Sequence, residues 1–378
     1  MKTPMSLSSA RIPGLDCRLL YLVGQLRPGG LERQLCYLLQ AMDRERYKPK
    51  VVVWNYNEND TYVRQIRDLG VQVLPIPRTF LRVAKLLAFC RLVRKLRPEV
   101  IHSYTFFTNF AAYCGILATR AVAVGSVRAD FTRSKNDAGV VLGRLGARWP
   151  SALICNSFMA AKTAKHSAGM FVPRQVFVVR NGLDLARFRN VNLPNFPRAK
   201  ILAVGSLIPI KRWDRLLQAA VELKENGFDF LVRIVGDGPL HVSLKQQAQV
   251  LDVADCVEFL GHRDDIPDLL ADSCFLIHTS DSEGCPNVVI EAMASGRAVV
   301  ATDAGDIPSL VEDGKTGFVV RRGDEKGLAE RMMTLIADHG LCRRMGEAGR
   351  GIAEKEFGLD RLVLETFAAY GAAGWTDD

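Results

Sequence analysis

No uncharged apolar run in this 378-residue chain approaches the ~20 residues that span a bilayer. The stretch 1–17 is polar and broken by Pro4 and Pro13, and the apolar run 19–23 is too short for a secretory core. Nine cysteines are scattered with no two-residue spacing, so neither a zinc nor a thioredoxin motif is present, and most lie among apolar neighbours. This usage predicts a reducing, cytoplasmic compartment. Six histidines show no metal-ligand spacing. Internal repeats and low-complexity segments are absent, and so are helix-turn-helix, zinc-finger and aromatic RNA-binding signatures. Charged residues at 24% and hydrophobic residues at 48% describe a globular protein, not a fibre, a coiled coil or a disordered chain. The length suggests about two domains at ~150 residues each.

The net charge of +9 hides two halves of opposite sign. Residues 1–198 hold 31 Lys+Arg and 11 Asp+Glu, a net of +20; the remainder holds 19 and 30, a net of −11. The sign change falls at the Pro-containing stretch 193–197 and marks a domain boundary. A basic N-terminal half suits an anionic partner such as lipid headgroups or a phosphorylated substrate, and it equally suits plain solubility. Part of the charge lies in residues 78–97, where Arg78, Arg82, Lys85, Arg91, Arg94, Lys95 and Arg97 alternate with apolar residues until Pro98. The period predicts a basic amphipathic helix. Its apolar stripe is expected to face the domain's own sheet, leaving the basic face for an anionic membrane.

Both halves alternate strand and helix patterns. Strands are predicted at 18–23, 50–54, 71–74, 100–102, 122–127, 152–155 and 176–179, then at 200–204, 231–235, 257–259, 274–278, 298–301 and 317–320. Several are short β-branched runs without alternation, as in strands buried on both faces of a parallel sheet. The expected fold is α/β, two doubly wound parallel-sheet domains, with helical periodicity again over 341–370. Ligands bind such sheets where strand ends run into helix N-termini.

Four such loops carry chemistry. The first ends in Gly29-Gly30 and opens a helix whose amides could meet a phosphate. The second, from Gly205-Ser206 to Lys211-Arg212, puts two cations before a helix, suited to a diphosphate. In the third, Gly236-Asp237-Gly238-Pro239, glycines permit close approach of a ligand to the backbone. The fourth places Glu283 in a loop and Glu291 eight positions on, in a helix over 288–295 with Asn287 as N-cap and Gly296 after its end. Two carboxylates at one strand end suit the hydroxyls of a sugar or ribose, although each could also be ordinary surface charge.

Together these loops resemble the retaining GT-B glycosyltransferases of the large family that includes bacterial mannosyl- and glucosyltransferases. The resemblance rests on the run Ser282-Glu283-Gly284-Cys285-Pro286-Asn287 through Glu291 to Gly296, followed by Ala301-Thr302-Asp303. Supporting matches are residues 205–211 and 235–239, Asn181-Gly182-Leu183-Asp184 with Phe188, Gly29-Gly30, and Asn156-Ser157. It extends over nearly the whole chain and implies two Rossmann-like domains facing across a cleft. Residues 1–182 would bind the acceptor, 183–199 would link, 200–355 would bind a nucleotide-sugar, and 356–378 would form a crossover helix and tail.

By the same resemblance Glu291 would bind the donor ribose and Glu283 the sugar near the reacting carbon. Lys211 and Arg212 would neutralise the diphosphate, and the backbone of Gly284, Cys285, Pro286 and Asn287 would meet sugar and phosphate. Ser206, Gly236 and Arg263 would complete the donor site, and Gly30 would approach the diphosphate from the other domain. Family members often carry a second histidine where this chain reads His102-Ser103-Tyr104. His102 either substitutes catalytically or makes a structural hydrogen bond. Arg128 and Tyr104 are candidate acceptor or phosphate contacts. No Asp-x-Asp follows a strand, so the implied reaction needs no metal and no cofactor.

The expectation is a retaining UDP- or GDP-sugar transferase acting on a glycan or lipid-linked acceptor in envelope polysaccharide or glycolipid synthesis. It would be cytoplasmic, peripheral on the inner membrane face, with no nucleic-acid partner. The alternative is a catalytically weak partner subunit that binds nucleotide-sugar.

Overall fold

The computed structural model describes residues 16–77, 82–117, 119–128, 130–167, 172–189, 191–193 and 198–377. The start of the basic helix at 78–81, the prolines of 194–197, the leading segment 1–15 and Asp378 lie outside the described residues. The chain divides into two compact units. The first comprises Met1–Cys155, Ala161–Val178 and Val363–Asp378; the second comprises Asn156–Ala160 and Val179–Leu362.

The first unit is built on β1 (Leu19–Val23), β2 (Lys50–Val53), β3 (Gln72–Pro75), β4 (Val100–Ser103), β5 (Val122–Val127), β6 (Ala152–Cys155) and β7 (Val176–Val178). They form one parallel sheet in the order β3-β2-β1-β4-β5-β6-β7. The second unit has β8 (Ala199–Val204), β9 (Phe230–Val235), β10 (Val257–Gly261), β11 (Phe275–His278), β12 (Ala298–Thr302) and β13 (Gly317–Val320), in the order β10-β9-β8-β11-β12-β13. All thirteen predicted strands are present, most shifted at an end by one or two residues. Strands such as Leu19–Val23 and Ala298–Thr302 are buried at every position, because helices cover both faces of a parallel sheet.

In each sheet the order reverses once, at β1/β4 and at β8/β11. These reversals are where open α/β sheets form ligand crevices, at the carboxyl ends of the strands. In the second unit the reversal sets the loop after β8 beside the loop after β11. The core beneath it lies on one face of the sheet, where Trp213, Leu216 and Leu217 of helix Trp213–Glu225 pack with Phe230, Ile234, Phe275, Ile277 and Val300.

The basic helix runs Arg82–Leu96. Phe89, Val93 and Leu96 pack with Leu20, Leu22, Val52 and Ile101 of the first unit, so the apolar stripe faces its own sheet as expected. The helical region expected over 341–370 is two helices, His339–Glu356 and Leu359–Ala372. The break falls at Phe357-Gly358, where the Leu183 N–H donates to the Phe357 carbonyl at 2.7 Å. Among the described residues no helix is long and apolar enough to cross a membrane.

Candidate functional site

The β8 loop turns through a short 3-10 segment, Pro209–Lys211, that presents Lys211 at the strand ends. Its Nζ donates to Glu283 Oε1 at 2.6 Å. Ser280 Oγ donates to the same oxygen at 2.6 Å, and His278 Nε2 lies 3.1 Å from it. The Glu283 side chain is only 13% exposed. Burial alone pushes its carboxyl upward, but the adjoining His278 and the Lys211 ammonium outweigh this and hold it well below the usual carboxylate range. An ionised carboxylate and an ammonium therefore sit together at the end of β11. In the sequence His278 and Ser280 are only a strand end and a loop residue, and their one signal is position, just before Glu283.

Arg212, expected beside Lys211 on a diphosphate, is already engaged. It has a left-handed backbone, φ 51°, and its guanidinium pairs with Asp214 at 2.8 Å and Asp281 at 3.1 Å. Asp281 is also held by the buried Arg215 at 2.6 Å. The two arginines brace the loop carrying Glu283, and two carboxylates neutralise the Arg212 charge.

The helix after this loop is Asn287–Ala294, one residue earlier than expected. Asn287 is not its N-cap: Pro286 occupies that position and makes no side-chain cap. The Asn287 side chain instead accepts from Asn181 Nδ2 at 2.8 Å, and the same amide donates to the Cys285 carbonyl at 2.9 Å. Asn181 thereby ties the loop at Cys285 to the helix start. Cys285 is buried, and burial pushes its thiol up to about 11, so it is an inert packing residue. Gly284 lies between Glu283 and Cys285, half-buried, and Gly296 closes the helix with φ 66°. Glu291 is 2% exposed, which removes the reading of ordinary helix surface charge.

Gly236 has a backbone reason to be glycine. Its φ is 141°, and a Cβ there would lie 1.9 Å from the Gly205 carbonyl oxygen. A Cβ on Gly238 would likewise lie 2.6 Å from the Leu207 carbonyl oxygen. The two glycines let the β9 loop lie against the β8 loop. Ser206 is exposed, and its carbonyl accepts from Trp213 Nε1 at 3.0 Å. Arg263 makes a forked pair with Asp265 at 2.8 and 2.5 Å, so its charge is matched within its own loop.

In the first unit, His102 ends its search for a partner inside the fold. It is 1% exposed. Nδ1 is 2.7 Å from Tyr370 Oη and Nε2 is 2.8 Å from Ser126 Oγ. Burial, then the nearby Arg128 charge, pushes its pKa well below the ordinary value, so it is neutral. Both nitrogens are committed, which selects the structural of the two expected roles and removes it from the catalytic set. Tyr104 is fully buried. The Arg128 guanidinium lies over its ring at 4.5 Å, and among the described residues Arg128 Nε and Nη1 are buried with no hydrogen-bond partner. A cation with two unanswered donors at the end of β5 suits an anionic group.

Gly30 opens helix Gly30–Ala41. The Glu32 side chain folds back toward the helix start, where a Cβ on Gly29 would lie 2.3 Å from its Oε2. Burial raises the Glu32 carboxyl. Among the described residues no cluster of three or more His, Cys, Asp or Glu could hold a metal ion.

Residues 198–338 match the family described as Glycosyl transferases group 1, and residues 28–187 match Glycosyltransferase Family 4. The N-acetyl-alpha-D-glucosaminyl L-malate synthase of Bacillus anthracis is 31% identical over 53% of this chain and 51% of its own. The putative colanic acid biosynthesis glycosyltransferase WcaL of Escherichia coli is 35% identical over 43% of each. The chain thus spans about half the length of the curated relatives it matches. Among solved structures, Anabaena HepE in complex with UDP and glucose superposes with a TM-score of 0.79 at 20% identity, covering 94% of this chain and 100% of that one. At that identity the likeness concerns the fold.

Proposed function

The chain belongs to the group 1 and family 4 glycosyltransferases, and from that premise we propose that it moves a hexose from a UDP- or GDP-sugar to a glycan or lipid-linked acceptor, with retention and without a metal. The observation that carries the reading is the Lys211–Glu283 contact of 2.6 Å at the β8/β11 reversal. Breaking the anomeric C–O bond leaves its electron pair on the nucleoside diphosphate, and that growing charge is the main thing to stabilise. Lys211 would neutralise it, together with the N-terminal amides of helix Asn287–Ala294. Glu283, ionised, would accept hydrogen bonds from the sugar hydroxyls. Glu291, buried on the helix, would take the ribose hydroxyls. For retention, the acceptor oxygen attacks from the face the diphosphate leaves, and its proton passes to the departing phosphate oxygen. Arg128, with its two unanswered donors, would meet an anionic group of the acceptor.

The relatives support an envelope setting, since one is named for colanic acid biosynthesis. The N-terminal excess of +20 supports a peripheral position on an anionic cytoplasmic membrane face, which vesicle binding at low salt would test. The commitment of both His102 nitrogens favours one second reading, a catalytically weak partner subunit that binds nucleotide-sugar.

The test is thermal stability against UDP-, GDP-, ADP- and CMP-sugars with a chelator present. A ligand at a hundred times its dissociation constant adds about 2.7 kcal/mol. A rise with one nucleotide class identifies the donor and dispenses with metal for binding; no rise with any overturns the donor site. Sugar transfer by the same samples then separates the enzyme from the partner subunit.

A further inference from the structure

In the first unit, a pocket of about 680 Å³ opens beside the basic helix Arg82–Leu96. Its walls are mostly apolar: Trp54, Val83, Leu86, Phe107, Phe110 and Leu142. Trp54 follows β2 and Phe107 follows β4. The Phe107 ring covers Gly24, just past β1; a Cβ there would lie 2.7 Å from Phe107 Cζ. The pocket thus lies at the carboxyl ends of β1, β2 and β4, where sheets of this kind take ligands.

Two of its lining side chains are apolar and exposed, Val83 at 69% and Phe107 at 40%. The helices that supply Val83 and Leu142 carry further exposed apolar residues, Leu87 at 50% on one and Val140 and Val141 at 72% and 66% on the other. Clustered exposure of this kind marks a binding surface. Arg82 and Lys85 supply cations among these side chains. Lys85 Nζ sits 5.2 Å over the Trp54 ring and 2.9 Å from Asn55 Oδ1. Asp137 also lines the pocket, 3.8 Å from Arg133.

We propose that this pocket holds the hydrocarbon chain of a lipid-linked acceptor, with the lipid's phosphate at Arg82 and Lys85. The proposal rests on the glycosyl-transfer reading and chooses the lipid-linked acceptor within it. A hydrocarbon chain asks for no hydrogen bonds, and the apolar walls offer few; a peptide would leave its backbone groups unanswered there. The pairing of an apolar pocket with two cations matches an amphiphile whose one charge is negative.

The test uses the full chain and single-chain alkyl phosphates, from hexyl to decyl, below their micelle concentrations. Affinity should tighten by up to about four-fold for each methylene buried, while inorganic phosphate binds far more weakly. Val83→Glu should weaken decyl phosphate at least ten-fold, with its melting temperature unchanged because the site is exposed. Leu364→Glu, equally exposed on the final helix, should leave binding as it was. Affinity independent of chain length, or an undiminished Val83→Glu, overturns the proposal. So does binding to phosphatidylglycerol vesicles without binding to any alkyl phosphate, which would mark a membrane surface and no acceptor pocket. A dimer that Val83→Glu dissociates would assign the face to a second copy and overturn it too. Nucleotide-sugar stabilisation measured on the same samples keeps the readings apart. A protein stabilised by a donor but indifferent to decyl phosphate retains the transferase reading and loses this one; the reverse pattern retains the lipid site and loses the donor site.

Discussion

Lys211 and Glu283 stand 72 residues apart in the chain, yet the ammonium and the carboxylate meet at 2.6 Å. Neighbouring strands β8 and β11 bring their loops together, and the ion pair closes at the carboxyl ends of the two strands. Arg212, next to Lys211 in sequence, has other partners, since Asp214 and Asp281 hold its guanidinium.

Lys211→Ala should lower kcat by about 10²–10³-fold, the usual effect of removing one preorganised group from a developing charge. Arg212→Ala should act differently. It frees the Asp281 loop and should lower melting temperature more than Lys211→Ala does. Initial rates with saturating donor, alongside melting curves for both variants, check the pair. Equal losses of rate from both would put Arg212 on the diphosphate after all.

Glu291→Gln should raise the donor KM about 10–100-fold, the cost of weakening hydrogen bonds to a ligand in a buried site. The fold should survive, since Gln preserves the shape. The check is KM against kcat over a donor titration. An unchanged KM would show that the buried Glu291 serves packing and not the ribose.

Gly236→Ala should destabilise by about 2–4 kcal/mol, from a disfavoured φ and a clash with the Gly205 carbonyl. That corresponds to a fall of roughly 4–16 °C in the melting temperature. The loss should appear equally without donor, which a thermal melt of the unliganded protein would establish. A normal unliganded melt with weakened donor binding would restore a ligand-contact role to the glycine.

Acid should destabilise the first unit through His102. Buried and neutral, it resists the proton that the unfolded chain accepts below about pH 6.5. The unfolded state then binds more protons than the folded state, so stability rises with pH in that window and falls on acidification. The slope from this residue approaches about 1.4 kcal/mol per pH unit. Urea titrations at pH 7, 6 and 5 should show a shallower dependence in His102→Gln. A wild-type slope matching the variant's would place a proton on His102 in the folded state.

The elements and the outline of the second unit's site were legible in the amino-acid sequence, because both are local. Runs such as Ala298–Thr302 are apolar and β-branched over a strand's length, and burial on both faces of a sheet requires that pattern. Glu283 and Glu291 are eight residues apart, so chain connectivity puts both on the one loop and helix that follow β11. The strand order was decided only by the tertiary structure. It put β8 beside β11 and thereby chose Lys211 over Arg212 as the partner of Glu283. It also gave Gly236 its reason, since the Gly205 carbonyl comes from another strand's loop. His102 shows the same limit: its partners Ser126 and Tyr370 are 24 and 268 residues away. A histidine at a strand end reads alike in sequence whether it faces a substrate or a buried tyrosine. Hydrogen bonds and burial between distant segments make that choice, and no periodicity records them.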